Sequence, residues 1–166
     1  MGVVLMRYKY LLALAPLVIG LVSYASLVGA QESIEVNATV APYISVVFNY
    51  TTVDFGTLTA GSTDNYKYGG MVTIDTNADY KVEAYGSDFS DGAGHTFGIS
   101  NLKLDAASTS GDLSVSDAVA LSTSYVLIDT FGYNVTENHH GYWLSIPSGQ
   151  YAAEYSTTIY IRYVNI

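Results

Sequence analysis

The chain contains no cysteine, so no disulfide bond can hold its folded state together. Charged residues make up only 13% of it, and proline occurs three times. After residue 31 no stretch of about 11 residues carries an apolar face at helical spacing without interruption by glycine or threonine. These absences exclude a disulfide-stapled domain and disfavour a helical one. An exported protein of this composition must rely on an apolar core, attached sugars or assembly.

The feature that is present instead is alternation of apolar and polar residues, the period of a β-strand. Tyrosine occurs 16 times and suits strands with half-buried faces. Stretches rich in glycine, asparagine, aspartate and serine separate the alternating segments. We therefore predict an all-β fold, a jelly roll or β-sandwich. The predicted strands are 33–40, 43–49, 69–76, 79–86, 97–104, 112–115, 124–131, 141–146 and 154–165, and residues 105–123 are predicted to form a surface loop with a weak strand or a short helix.

The first thirty residues have the order of a secretory signal peptide. Basic Arg7 and Lys9 precede the apolar run 11–22, and small residues follow as far as Ala30. We predict that residues 1–30 are removed after Ala30 and that the protein is secreted. A retained anchor helix is the alternative, because the apolar part approaches the roughly 20 residues of a membrane span.

Removal of residues 1–30 leaves a strongly acidic chain. The whole sequence has a net charge of −9, with six basic and fifteen acidic residues. The removed part holds two of the basic residues and none of the acidic ones, so four basic and fifteen acidic residues remain, a net charge of −11. Such a charge disfavours nucleic acid and anionic lipid as partners. We predict no membrane contact after cleavage.

The segment 31–40 has the pattern of a strand that could serve another molecule. Its polar residues share one side, and the other side carries Ile34, Val36, Ala38 and Val40. Such a strand can pair within its own domain, or it can fill a sheet edge of a neighbouring subunit. The second arrangement is head-to-tail, does not close on itself and grows a fibre.

Proline 42 marks where this segment could leave the domain, since it cannot donate a ladder hydrogen bond and biases Ala41 away from helix. We therefore predict a donor strand at residues 31–41 and a single β-domain at residues 42–166.

Four stretches of the chain resemble exported archaeal filament subunits. They are "NATVAPYISVVF" (37–48), "VDFGTLTAGST" (53–63), "VTIDTNADYKVEAYG" (72–86) and "IPSGQYAAEYSTTIYIRYV" (146–164). The chain is similar to the archaeal bundling pilins, to the related TasA/camelysin biofilm-matrix proteins and to the archaeal thread subunits. The resemblance implies a jelly-roll or sandwich domain completed by the N-terminal donor strand of the next subunit, in extracellular fibres that link cells in biofilms.

Three Asn-x-Ser/Thr sequences could accept N-linked sugars in an exported protein. They begin at Asn37, Asn49 and Asn134. Asn37 falls on the polar side of the segment 31–40, where a sugar would leave the apolar side free. We predict glycosylation at one or more of these residues.

The sequence contains few motifs that indicate catalysis or metal binding. It lacks a Gly-x-Ser-x-Gly elbow, and Asp54-Phe55-Gly56 stands without any other kinase motif and predicts a strand-to-turn junction. The neighbours His139 and His140 would point to opposite faces of a strand, which suits chelation poorly, so we interpret them as exposed loop residues. We predict no catalytic residues, no metal site and no cofactor.

Together these patterns predict a structural subunit of an extracellular, pilus-like homopolymer that serves cell adhesion or biofilm formation and can bundle laterally. The alternative is a self-complete surface glycoprotein, secreted or anchored by its signal, or a carbohydrate-binding β-sandwich. In that alternative Trp143 would provide a stacking platform for sugars, although a lone tryptophan on a strand is more often part of the core.

Overall fold

The structure is a computed structural model and describes residues 35–166. This part of the chain forms ten β-strands and one 3₁₀ turn, Ile99–Asn101. The strands are β1 Ile44–Phe48, β2 Asn65–Thr76, β3 Tyr80–Gly86, β4 Phe89–Ser90, β5 Thr96–Phe97, β6 Leu102–Ala107, β7 Val119–Ala120, β8 Val126–Phe131, β9 Glu137–Leu144 and β10 Ile159–Asn165.

The strands form two facing antiparallel sheets. The larger sheet has the order β1-β2-β9-β6-β7, the smaller has the order β10-β3-β8, and β4 and β5 form a separate two-stranded ribbon. Across the interface β1 lies against β10, and β6 lies against β8. The protein is therefore an all-β sandwich, as the alternation of its sequence predicts.

Alternate side chains of both sheets meet in one apolar core. Fully buried members include Val72, Tyr80, Val82, Leu104 and Tyr142, which come from four strands of the two sheets, β2, β3, β6 and β9. Because the residues between them face outward, the period of two that is visible in the sequence becomes the two faces of each sheet.

Most predicted strands are confirmed with shifted ends. The clearest is 79–86, found as Tyr80–Gly86, whereas the last strand is shorter than predicted. The prediction for 97–104 is partly wrong, because the 3₁₀ turn separates β5 from β6. The predicted strand 112–115 is also wrong: those residues form turns, and the pairing segment of that region is Val119–Ala120 instead.

The chain divides into two units, Met1–Thr39 and Val40–Ile166. Of the first unit the structure describes only residues 35–39, which are exposed and form no strand, so the prediction of a strand at 33–40 is wrong for its described part. Within it, the Asn37 side-chain amide donates a hydrogen bond to the Glu35 carboxylate, at 3.2 Å. The predicted signal peptide and Ile34 lie outside the described residues.

Candidate functional site

An open groove of about 860 Å³ runs along the start of β10. Its walls come from two long connections without strands, 49–64 between β1 and β2 and 145–158 between β9 and β10. Residues 157–161 line one side of the groove. A sandwich connection of this length without its own strand usually has a function.

The lining of the groove is mixed polar and apolar and includes part of the apolar core. Phe89, Phe97 and Leu144 belong to the buried core cluster, and each also lines the groove. Phe55 and Ile161 pack on that cluster and are only half-buried. The core side chains themselves are buried, and the apolar surface that remains accessible in the groove comes from the half-buried side chains packed around them.

Backbone hydrogen bonds hold the two connections together at one point. The Gly61 amide donates to the Ile146 carbonyl at 2.9 Å, and the Ile146 amide donates to the Ser62 carbonyl at 2.8 Å. Ser90 and Ser156 exchange a second pair of backbone bonds, both 3.0 Å long, beside β4. These bonds fix the two connections at these points, and the groove between them stays open.

β10 presents an unpaired edge among the described residues. It is the terminal strand of its sheet and pairs only with β3. In an antiparallel pair, the N–H and C=O of one residue point to the same side, and successive residues point to opposite sides. Every second residue of β10 therefore directs its backbone groups away from β3.

A separate feature is the segment that leads into β1. Val36 is 86% exposed and Val40 is 79% exposed, and residues 35–42 form no strand. Because these alternating apolar side chains are exposed, they contribute no hydrophobic stabilisation to the segment in the isolated subunit.

Asn77, in the tight turn between β2 and β3, fixes the point where the segment joins the domain. Its side-chain amide donates to the Ala41 carbonyl at 3.0 Å, and its side-chain carbonyl accepts the Tyr43 amide at 2.8 Å. The Tyr43 hydroxyl also donates to Asp75, at 2.8 Å. The chain is thus held in place from Ala41 onward.

A buried hydrogen-bonded network lies beside the groove. The Tyr50 hydroxyl is 2.5 Å from His140 Nδ1 and 2.9 Å from the Tyr142 hydroxyl, and His140 Nε2 is 2.9 Å from the Tyr163 hydroxyl. Burial, with a smaller contribution from the nearby His139, lowers the pKa of His140 to about 3. Burial also raises the pKa of Tyr50 to about 12. All four groups are consequently neutral at pH 7, and they act as a structural link between β1, β9 and β10.

The interpretation of the two histidines as exposed loop residues is wrong. Both lie in strand β9, where they point to opposite faces as adjacent strand residues must. His140 is fully buried, while His139 lies on the outer face and bonds to the Tyr68 hydroxyl through Nδ1, at 2.7 Å. Their partners are distant in sequence, so local spacing carried no signal for the network.

Trp143 is not an open sugar platform. It is 6% exposed, and the Tyr66 ring packs on it with 5.0 Å between ring centroids. The prediction of a strand-to-turn junction at Asp54-Phe55-Gly56 is partly wrong, because this stretch lies in the connection 49–64, which has no strand. The turn itself is present, since the Gly56 amide donates to Asp54 Oδ1 at 2.7 Å and Gly56 has a φ of 65°.

The three sequon asparagines are exposed in the described part of the chain. Asn49 already uses its side-chain oxygen to accept the Met71 amide at 2.8 Å, whereas its nitrogen, the atom to which a sugar would attach, remains available. Nothing in the geometry separates the three as acceptors.

Within residues 35–166, no group of three His, Asp or Glu side chains is placed to hold a metal ion. The same residues form no helix with the length and apolar character of a membrane span.

Comparisons with known proteins add little. No protein-family model and no curated protein sequence matches the chain. Among solved structures it is similar to a family 123 glycoside hydrolase from Clostridium perfringens, studied for glycolipid glycan hydrolysis, with a TM-score of 0.37 and 12% identity. The match covers 76% of this chain and only 25% of that protein. A similarity this distant carries no functional argument.

Proposed function

We propose that the protein is a structural subunit of an extracellular filament, in which the segment 31–40 of one copy fills the open groove of the next. It would act through assembly and without catalysis, in cell adhesion or biofilm formation. Its partners would be further copies of the same chain, with lateral bundling between filaments and N-linked sugars on the surface.

The observation that supports this proposal is the pairing of two incomplete features in one chain. The groove is lined by apolar side chains such as Phe55 and Ile161 that are only half-buried, and the segment leaves Val36 and Val40 exposed. Each feature supplies what the other lacks. Because a donor must leave its own domain to reach a neighbour, the contact is head-to-tail and continues without limit.

The energies involved are adequate for assembly. Full burial of a valine side chain contributes about 1.5–3 kcal/mol, and each new backbone hydrogen bond contributes about 1 kcal/mol net. Ordering the segment costs about 1–2 kcal/mol per residue, so both kinds of contact are needed together. A donor without its apolar side chains should therefore fail.

The test is electron microscopy of residues 31–166, concentrated without denaturant. We expect uniform filaments from the unchanged sequence. Val36→Asp combined with Val40→Asp should abolish them, because two carboxylates would have to be buried against the apolar side chains of the groove.

The matched control places the same two charges on the other side of the segment, as Asn37→Asp combined with Thr39→Asp, and should still form filaments. Equal assembly by both double variants would contradict strand donation through the apolar side. Only compact monomers from the unchanged chain would favour the self-complete surface domain, and sugar-binding measurements would then be the next experiment.

A further inference from the structure

We infer that the outward backbone edge of β10, at Ile159 and Ile161, is the strand that receives the donor segment of another copy. This inference rests on the proposed function and adds the acceptor, which neither the sequence pattern nor the resemblance identifies. It follows from the direction of individual backbone groups.

Three hydrogen bonds establish which residues of β10 face β3. The Ser87 amide donates to the Thr158 carbonyl at 3.2 Å, and the Ile166 amide donates to the Asp79 carbonyl at 2.9 Å. On the far side of β3, the Gly86 amide donates to the Ser122 carbonyl at 3.0 Å, so Gly86 points away from its neighbour Ile159. The even-numbered residues of β10 therefore bond to β3.

The odd-numbered residues must then direct their N–H and C=O groups to the opposite edge. At the groove these residues are Ile159 and Ile161, and both line it. Unpaired strand edges are templates for another strand, and natural proteins usually block them with charge, proline or a covering segment. Residues 157–161 carry neither a charged residue nor a proline.

The open edge ends where the two sheets meet. Further along β10, Tyr163 contacts Phe48 of β1, with 6.1 Å between ring centroids, and residues beyond Ile161 do not line the groove. The accessible part of the edge therefore spans residues 157–161, and a ten-residue donor would cover it and continue past it over the groove wall.

The two exposed apolar positions of the donor, Val36 and Val40, are four residues apart, so in an extended strand they lie on one face, about 13 Å from each other. A strand added beside β10 would present its alternate side chains to the inner face of the sandwich, where Phe89 and Phe97 line the groove. Its polar residues would face outward, beside Tyr160, which is 52% exposed.

Two substitutions of Ile161 distinguish the role of its backbone N–H from the role of its side chain. Ile161→Pro removes the outward N–H and places a ring at the edge, but it leaves the ladder to β3 intact because that N–H does not bond to β3. Ile161→Ala loses the same apolar side chain and keeps the N–H. We expect both variants to fold, Ile161→Ala to form filaments and Ile161→Pro to form none.

Amide hydrogen exchange on the unchanged chain provides a test that does not depend on any variant folding. In filaments the Ile159 and Ile161 amides should exchange at least on the order of 100-fold more slowly than in the dispersed subunit. The Tyr160 and Arg162 amides, which bond to β3, should be protected in both states.

The outcomes distinguish the two proposals. Filaments in which the Ile161 amide stays unprotected, or which Ile161→Pro forms as readily as Ile161→Ala, would overturn β10 as the acceptor and leave the filament function standing. Absence of filaments from the unchanged chain would overturn both.

Discussion

At the scale of single residues, His140 shows how a polar side chain can be retained in an apolar core. Both of its ring nitrogens have tyrosine hydroxyl partners, and no buried side-chain nitrogen or oxygen in the described part of the chain lacks a hydrogen bond. Since burial of an unpaired polar group is costly, the network of hydroxyls is what makes the position tolerable.

His140 should make stability depend on pH. Its pKa is lowered to about 3 in the folded protein, against about 6.5 in an unfolded chain. Between these values the unfolded chain binds more protons, so the free energy of unfolding should fall as the pH drops from about 6.5 towards 3, by up to about 1.4 kcal/mol per pH unit. Urea unfolding at several pH values between 7 and 4 measures this slope.

The control for this measurement is His140→Gln, which keeps hydrogen-bonding capacity but does not titrate. Its slope should be shallower than that of the unchanged protein, because the carboxylates contribute equally in both. Identical slopes would show that His140 does not carry the effect.

At the scale of the elements, β2 is interrupted by a bulge at Tyr68–Gly70, where its register against β9 shifts. Gly70 has a φ of 149°, and a Cβ at this position would overlap the Tyr50 ring and lie 2.7 Å from Asn49 Oδ1. The bulge therefore brings the backbone close to the connection that leads into the groove wall.

Gly70→Ala should destabilise the domain by about 1–3 kcal/mol through this crowding, with a lower thermal unfolding midpoint. Gly92→Ala is the matched control, because Gly92 also has a positive φ, 71°, but nothing lies within 4 Å of an added Cβ. A loss as large at Gly92 as at Gly70 would mean that backbone strain alone, and not the packing around Tyr50, explains the effect.

The elements also show where sequence patterns stop being informative. The strand at Tyr80–Gly86 is predictable because its alternation of apolar and polar residues can be read from neighbouring positions in the sequence. Its pairing with β10 on one side and β8 on the other agrees with that local pattern. The turn region before Val119 was misassigned because small polar residues support a weak strand and a turn equally well. Long-range pairing with β6 selects Val119–Ala120 as the strand.

At the scale of the whole molecule, the net charge of −9, or −11 for residues 31–166, opposes contact between copies. Salt should therefore favour assembly, because the screening length falls from about 30 Å at 0.01 M to about 8 Å at 0.15 M. We expect filament formation by residues 31–166 to be about tenfold faster at the higher salt concentration, as followed by light scattering.

The Val36→Asp and Val40→Asp double variant should stay dispersed at both salt concentrations, since screening does not restore an apolar donor. An equal assembly rate of the unchanged sequence at both salt concentrations would show that charge repulsion is not the barrier to assembly.

The sequence by itself determined the all-β class, the alternation that divides each strand into a core face and an outer face, and the apolar side of the segment 31–40. These properties depend on near neighbours in the chain. Only the tertiary structure decided that His140 is buried among tyrosines, that two long connections form the walls of an open groove, and that the outward edge of β10 lies along this groove. Those outcomes depend on which distant strands pair and which edges remain unpaired, and no local period encodes them.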